Sequence, residues 1–211
     1  MQSWRYMPMH KLNTIGGEFA DPALEAAFQA NRLPELVRHV QLFLAAAVPL
    51  NLLALVSDWH YVGAHPAFWI AIPARLCILA VSFVAFVLVG RAQRYPVLQR
   101  VVLAWEAIAG VSAGVLCASH TEVALISIVT IPAIFMLALP TRFRWTAIVG
   151  LATAVGLTAS YLLPPPLLAT TDGVISANLI MFIATLLVVV RANRGRRLEW
   201  MAVQDAQRAN A

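Results

Sequence analysis

The sequence predicts an all-α polytopic membrane protein, a bundle of six transmembrane helices with both the N-terminus and the C-terminus cytoplasmic. Three observations predict it. Of 211 residues, 61% are apolar and 12% charged, against about 45–50% and 25% in soluble domains. Six apolar runs near the length of a bilayer span follow one another. The connectors between them alternate between basic segments and segments lacking any Lys or Arg.

Ahead of the first run, Asp21-Pro22 pairs an N-cap residue with proline at the first helical position. Leu24, Ala27, Phe28 and Asn31 follow at helical spacing, and Pro34 is expected to reset the chain. The reading is a short helix, either lying on the inner leaflet or packed on the cytoplasmic loops. The first 36 residues carry charges at Arg5, Lys11, Glu18, Asp21, Glu25, Arg32 and Glu35 without a long apolar core, so no cleavable signal peptide is expected.

The six runs cover residues 40–56, 67–90, 101–118, 123–140, 145–163 and 174–190. Connectors 57–66, 119–122 and 164–173 contain Asp58, Glu122 and Asp172 but no Lys or Arg. The other connectors carry Arg91, Arg94 and Arg100, then Arg142 and Arg144. With Arg5, Lys11, Arg32 and Arg38 before the first run and Arg191, Arg194, Arg196, Arg197 and Arg208 after the last, 14 of 15 basic residues fall on one side. The positive-inside rule makes that side cytoplasmic. An odd number of spans would destroy the alternation. The chain therefore divides into a cytoplasmic segment, 1–36, a transmembrane domain, 37–191, and a cytoplasmic helix, 192–211.

Within the runs, Pro49, Pro73 and Pro132 should bend or loosen their helices. Gly110 with Gly114, and Ala152 with Gly156, form small-xxx-small pairs that let helix backbones approach, within one bundle or across a dimer. Past Val190, Leu198, Met201 and Ala202 make one apolar turn before Asp205 interrupts the seam. A coiled coil is suggested, and a homodimer is expected on that ground.

Arg75 is the one basic residue inside a run, nine residues from Pro66 and so roughly 13 Å deep. A charge there costs about 2.5–3.5 kcal/mol on insertion scales and faces the bundle interior or a wet cavity. Asp58 is its nearest anionic candidate and Asn51 lies at nearly its depth. Two roles are open: a tie that holds helix register, or an anchor for a carboxylate or other polar group of a ligand. Asn178 and Tyr161, with Ser127 and Thr158, fall in the same half and complete the candidate ligand-binding set. Glu106, about six residues inward of Arg100, is expected to pair with Arg100, Arg142 or Arg144.

No metal site is expected. His60, His65 and His120 share a side with Asp58, Glu122 and Asp172, but their spacings match no helical ligand pair. No cofactor is expected either, since no histidines face each other within the runs. The depths of Cys77 and Cys117 argue against a disulfide. Hydrolase, zincin, thioredoxin-like and phosphate-loop motifs are absent, so no catalysis is expected. The net charge of +5 resides beside apolar runs, where it meets anionic lipid and not nucleic acid.

Phe19-Ala-Asp21-Pro-Ala-Leu24-Glu25-Ala-Ala-Phe28 resembles the F-x-D-x-x-L-E-x-x-[FY] stretch ahead of the first span in six-transmembrane input domains of bacterial diguanylate cyclases, adenylate cyclases and histidine kinases. Asp58 resembles the acid that closes the first span there, Arg75 the arginine of the second, and Thr141-Arg142-Phe143 the short connector. The resemblance implies a receptor in the cell inner membrane, sensing an unknown small ligand or a membrane state. Its output would be a cytoplasmic nucleotide cyclase or kinase module, in cis in a longer protein or in trans. The alternative is a small transporter with Arg75 as substrate anchor, although the two halves show no clear internal repeat. A purely structural membrane subunit is the third reading.

Overall fold

Asp21 sets where the first helix begins. Its carboxylate accepts the Ala23 amide at 2.9 Å, and Pro22 takes the first helical position, where a missing amide donor costs nothing. In this computed structural model, which describes residues 12–64, 66–118, 122–163 and 171–210, that helix is α1, Pro22–Val62. It runs unbroken through Pro34 and Pro49 for 41 residues. The separate short helix expected before Pro34 is therefore the first part of α1. Proline removes one intrahelical bond, but Leu33, Leu36 and Val37 around it pack on the core, and this tertiary contact carries the helix across the gap. Gly63, at φ 58°, ends α1 by donating its amide to the Trp59 carbonyl.

The other helices are α2 (Pro66–Gly90), α3 (Tyr95–Cys117), α4 (Glu122–Ala138), α5 (Phe143–Leu162) and α6 (Thr171–Ala209). The described residues hold no strand, only an isolated bridge between Leu12 and Phe19. Five of the helices are long and apolar enough to cross a membrane, while α4, with 17 residues, is apolar but shorter. Phe83, Val111, Ile126 and Ile180 are among many large apolar side chains that face outward. So much apolar surface needs lipid around it, and the chain is a multi-pass helical membrane protein.

Two cores hold the helices together. Near the end that carries most of the arginines, called the basic end below, Val40, Leu44, Val89, Leu98, Val102 and Leu139 join α1, α2 and α3 to the end of α4. Toward the opposite end the core is built from α3 to α6 alone, through Cys117, Ile128, Leu157, Tyr161 and Val174. Over their whole lengths, α1 packs mainly on α2, and α2 on α1 and α3. Gly110 and Gly114 lie against Thr153 and Ser160 of α5, with a Cβ at Gly114 coming within 3.1 Å of the Ser160 hydroxyl. This pair thus serves packing inside the bundle. Among the described residues, no neighbour lies within 4 Å of a Cβ at Gly156.

Candidate functional site

The seam between the two cores holds a cavity of about 320 Å³, within the usual range for small-molecule sites. Its α1 wall runs from Phe43 to Asp58 and faces Ala124, Ser127, Ile131 and Ile134 of α4. Trp105, Ala109, Ala113 and Cys117 of α3 form the back. Trp105 stands between Phe43 and Phe135 with ring centroids at 5.5 and 5.3 Å, and its indole donates to the Ser82 hydroxyl at 2.9 Å. Both Phe43 and Phe135 also line the cavity, so that end is aromatic and its one indole donor is already satisfied.

The polar end is formed by three side chains. Arg75 Nε donates to Asp58 Oδ2 at 3.0 Å and Nη2 to Asp58 Oδ1 at 3.4 Å, a two-point ion pair with side-chain exposures of 15% and 19%. Arg75 Nη1 donates to Asn51 Oδ1 at 3.3 Å, while the Asn51 amide is committed to the Ala47 carbonyl of its own helix. A guanidinium has five N–H donors. Two remain for a group in the cavity, and the arginine's charge is already neutralised by Asp58. The arrangement suits a mostly apolar molecule with a hydrogen-bond acceptor at one end.

Of the remaining expected residues, Ser127 lines the cavity from α4 and the others lie elsewhere. Asn178, on α6, donates to the Thr158 hydroxyl of α5 at 3.0 Å and is buried between these helices. Tyr161 is fully buried in the α3–α6 core. Neither lines the cavity. Glu106 reaches none of Arg100, Arg142 and Arg144: it is 2% exposed, forms no ion pair among the described residues, and its Oε2 has no hydrogen-bond partner. His65 and His120 lie outside the described residues, as does the Glu122 side chain; the described residues contain no cluster able to hold a metal. Cys77 and Cys117 are free thiols.

A second polar cluster was not expected from the sequence. At the basic end, Arg197 of α6 donates from Nη2 to Glu25 Oε1 at 2.6 Å and from Nε to Glu25 Oε2 at 2.9 Å. These side chains are 6% and 7% exposed. The guanidinium carbon sits 4.7 Å from the centre of the Phe28 ring and 6.0 Å from that of Phe19, and Trp200 packs edge-on against both rings. Gln29 and the Phe19 amide also donate to the Glu25 carboxylate. This turn of α1 begins well before the apolar run. Burial alone would raise the Glu25 carboxyl, yet Arg197, the Phe19 amide and Gln29 together hold it below the ordinary carboxylate value.

The segment before α1 completes this clasp. Glu18 accepts the Phe143 amide at 2.8 Å, capping α5 from a distance, and Asn193 donates to the Gly16 carbonyl at 3.3 Å. Gly17 has φ 67°, and a Cβ there would meet the Val190 carbonyl at 2.9 Å. Only glycine meets both demands. Phe19, Asp21, Glu25 and Phe28, four positions of the motif quoted for the family resemblance, are thus the helix cap and the Arg197 cage. The signal was present in that motif, but nothing local pointed to Arg197. No family model, curated protein or solved structure matches the chain.

Proposed function

We propose that this chain is a membrane-embedded sensory domain of six spans, with both termini in the cytoplasm of a bacterial cell and the cavity toward the outer face of the inner membrane. A small ligand, or a state of the membrane, is detected at Arg75, and a conformational signal passes through α6 to a cytoplasmic nucleotide cyclase or kinase module in cis or in trans. The observation that carries this reading is the position of the cavity. It lies between α1 and α4, with α2 and α3 as its other walls, while the Glu25–Arg197 clasp holds α1 to α6 at the other end. A molecule that favours one width of the seam therefore favours one relation of α1 to α6, which is the differential affinity a switch requires.

The ligand class follows from the cavity walls: an apolar body with a neutral acceptor such as a carbonyl or hydroxyl, because a carboxylate would add a second anion beside Asp58. The orientation is supported by the basic residues gathered at one end. At 17 residues, α4 is at the lower limit for a span. Because Gly110 and Gly114 pack on α5, a homodimer rests on the extension of α6, where Leu198 and Val203 are exposed.

The test uses the full chain in nanodiscs, lacking Cys77 and Cys117 and carrying a cysteine at Ala202, with 1-decanol, decanamide and decanoate as probes. The neutral probes should raise the melting temperature and change disulfide crosslinking at position 202. Arg75→Lys should abolish both responses. A response unchanged in Arg75→Lys, or no response to any probe, would overturn the reading. Probe-dependent uptake into sealed liposomes would favour the transporter instead.

A further inference from the structure

At the basic end, between α1, the α4–α5 connector and α6, lies a second cavity of about 290 Å³. Arg32, Arg38 and His39 line its α1 side and Arg196 its α6 side. Arg32 contacts Glu35 at 2.6 Å, but its Nε is buried without a hydrogen-bond partner. Arg38 and Arg196 have no carboxylate partner among the described residues. His39 Nε2 lies 2.9 Å from the Ala138 carbonyl, which can only accept, so that nitrogen carries a hydrogen. Three arginines thus face one carboxylate, leaving an excess of positive charge around a recess.

Thr141, Thr146 and Asn193 also line the cavity, and an apolar wall of Leu42, Leu137 and Val189 runs beside them. These apolar residues belong to the beginning of the first apolar run and the ends of the fourth and sixth. Charge and apolar surface therefore meet at the level where hydrocarbon gives way to water. Free phosphate would use only the arginines and leave the apolar wall uncovered. A lipid uses both.

We propose that this cavity is a binding site for an anionic phospholipid, with its phosphate between Arg38 and Arg196 and an acyl chain along Leu42 and Val189. The inference does not depend on which leaflet the basic end meets, nor on the sensory reading. Asn193, on the same wall, holds the Gly16 carbonyl, and Arg197 of the clasp follows Arg196. An occupied site would brace α6 where it meets the segment before α1.

The experiment titrates the full chain, in a non-ionic detergent at constant ionic strength, with phosphatidylglycerol, phosphatidylcholine or inorganic phosphate. Melting temperature and lipid retained in native mass spectrometry are read together. Phosphatidylglycerol should be retained in preference to phosphatidylcholine and raise the melting temperature. Each arginine near a lipid surface contributes enough that losing two should weaken retention about 30-fold. That loss is expected in Arg38→Gln with Arg196→Gln, both exposed side chains whose replacement leaves the cores untouched. Arg196→Gln alone should give an intermediate loss. Arg91→Gln with Arg94→Gln removes the same charge at the same end outside the cavity and should change retention little. The proposal is overturned by equal losses in the two double variants, by no preference in the unsubstituted chain, or by inorganic phosphate alone matching the lipid.

Discussion

Glu25 and Arg197, 172 residues apart in the chain, meet in a buried two-point ion pair that joins the first turn of α1 to the last third of α6. Removing one partner of such a pair leaves the other charge buried and costs about 3–5 kcal/mol. Glu25→Ala and Arg197→Ala should each lower thermal stability by that order. They should also make the 198–210 segment a preferred site of limited proteolysis. Glu25→Leu with Arg197→Met, which keeps the apolar cage filled, should recover most of the loss. Single variants as stable as the unsubstituted chain would show that the pair contributes nothing.

The same carboxylate gives a pH dependence with a defined sign. Its folded value is lowered from the ordinary one, so its stabilisation is complete above about pH 4.3 and is lost as pH falls through the lowered value. Melting temperature should therefore be insensitive to Glu25 between pH 7 and pH 5 on the scale of these titrations. At lower pH it should fall more steeply in the unsubstituted chain than in Glu25→Gln. Parallel acid limbs in the two proteins would contradict this.

Arg75→Leu would leave Asp58 partly buried without its cation, at an expected cost of about 2–3 kcal/mol after allowing for partial exposure. Asp58→Asn should cost a similar amount. Arg75→Lys keeps the charge but cannot reach both Asp58 oxygens and Asn51 together, so a smaller loss is expected, about 1 kcal/mol. Thermal unfolding of the three variants checks the order. An Arg75→Leu protein that melts with the unsubstituted chain would remove the tie from the account of the fold.

Orientation is testable by labelling in intact cells, in a background lacking Cys77 and Cys117. Cysteines at Ala64 and Asp172 should react with an impermeant thiol reagent added outside. Cysteines at Gln93 and Gln207 should react only after the membrane is opened. External labelling of position 93 would reverse or discard the proposed topology.

The six helices are legible in the sequence because apolar length is a local property, and each run can be read without knowing its neighbours. Helix ends are not local in the same way. The α1 turns before residue 40 and the α6 turns after residue 190 hold each other through Glu25, Arg197 and the aromatic cage, a contact no window of sequence contains. Depth along a span is also local, which is why Arg75, Asp58 and Asn51 could be grouped from their positions. Azimuth is not. Asn178 and Tyr161 share the depth of that site, but packing among α4, α5 and α6 turns them into another interface. Glu106 fails for the same reason, its side of α3 facing the core and not the arginines.

The unbroken course of α6 has a mechanical consequence. From Thr171 to Arg197 the rod measures about 39 Å, and from Arg197 to Ala209 about 18 Å. Were it to turn as a rigid rod about Arg197, it would be a lever with unequal arms and the clasp as fulcrum. A sideways shift at Thr171 would then emerge at Ala209 reversed in direction and reduced to about half. Whatever is attached past residue 209 would receive a small, inverted copy of a movement at the far side of the bilayer, and moving the fulcrum by one helical turn would change the gain.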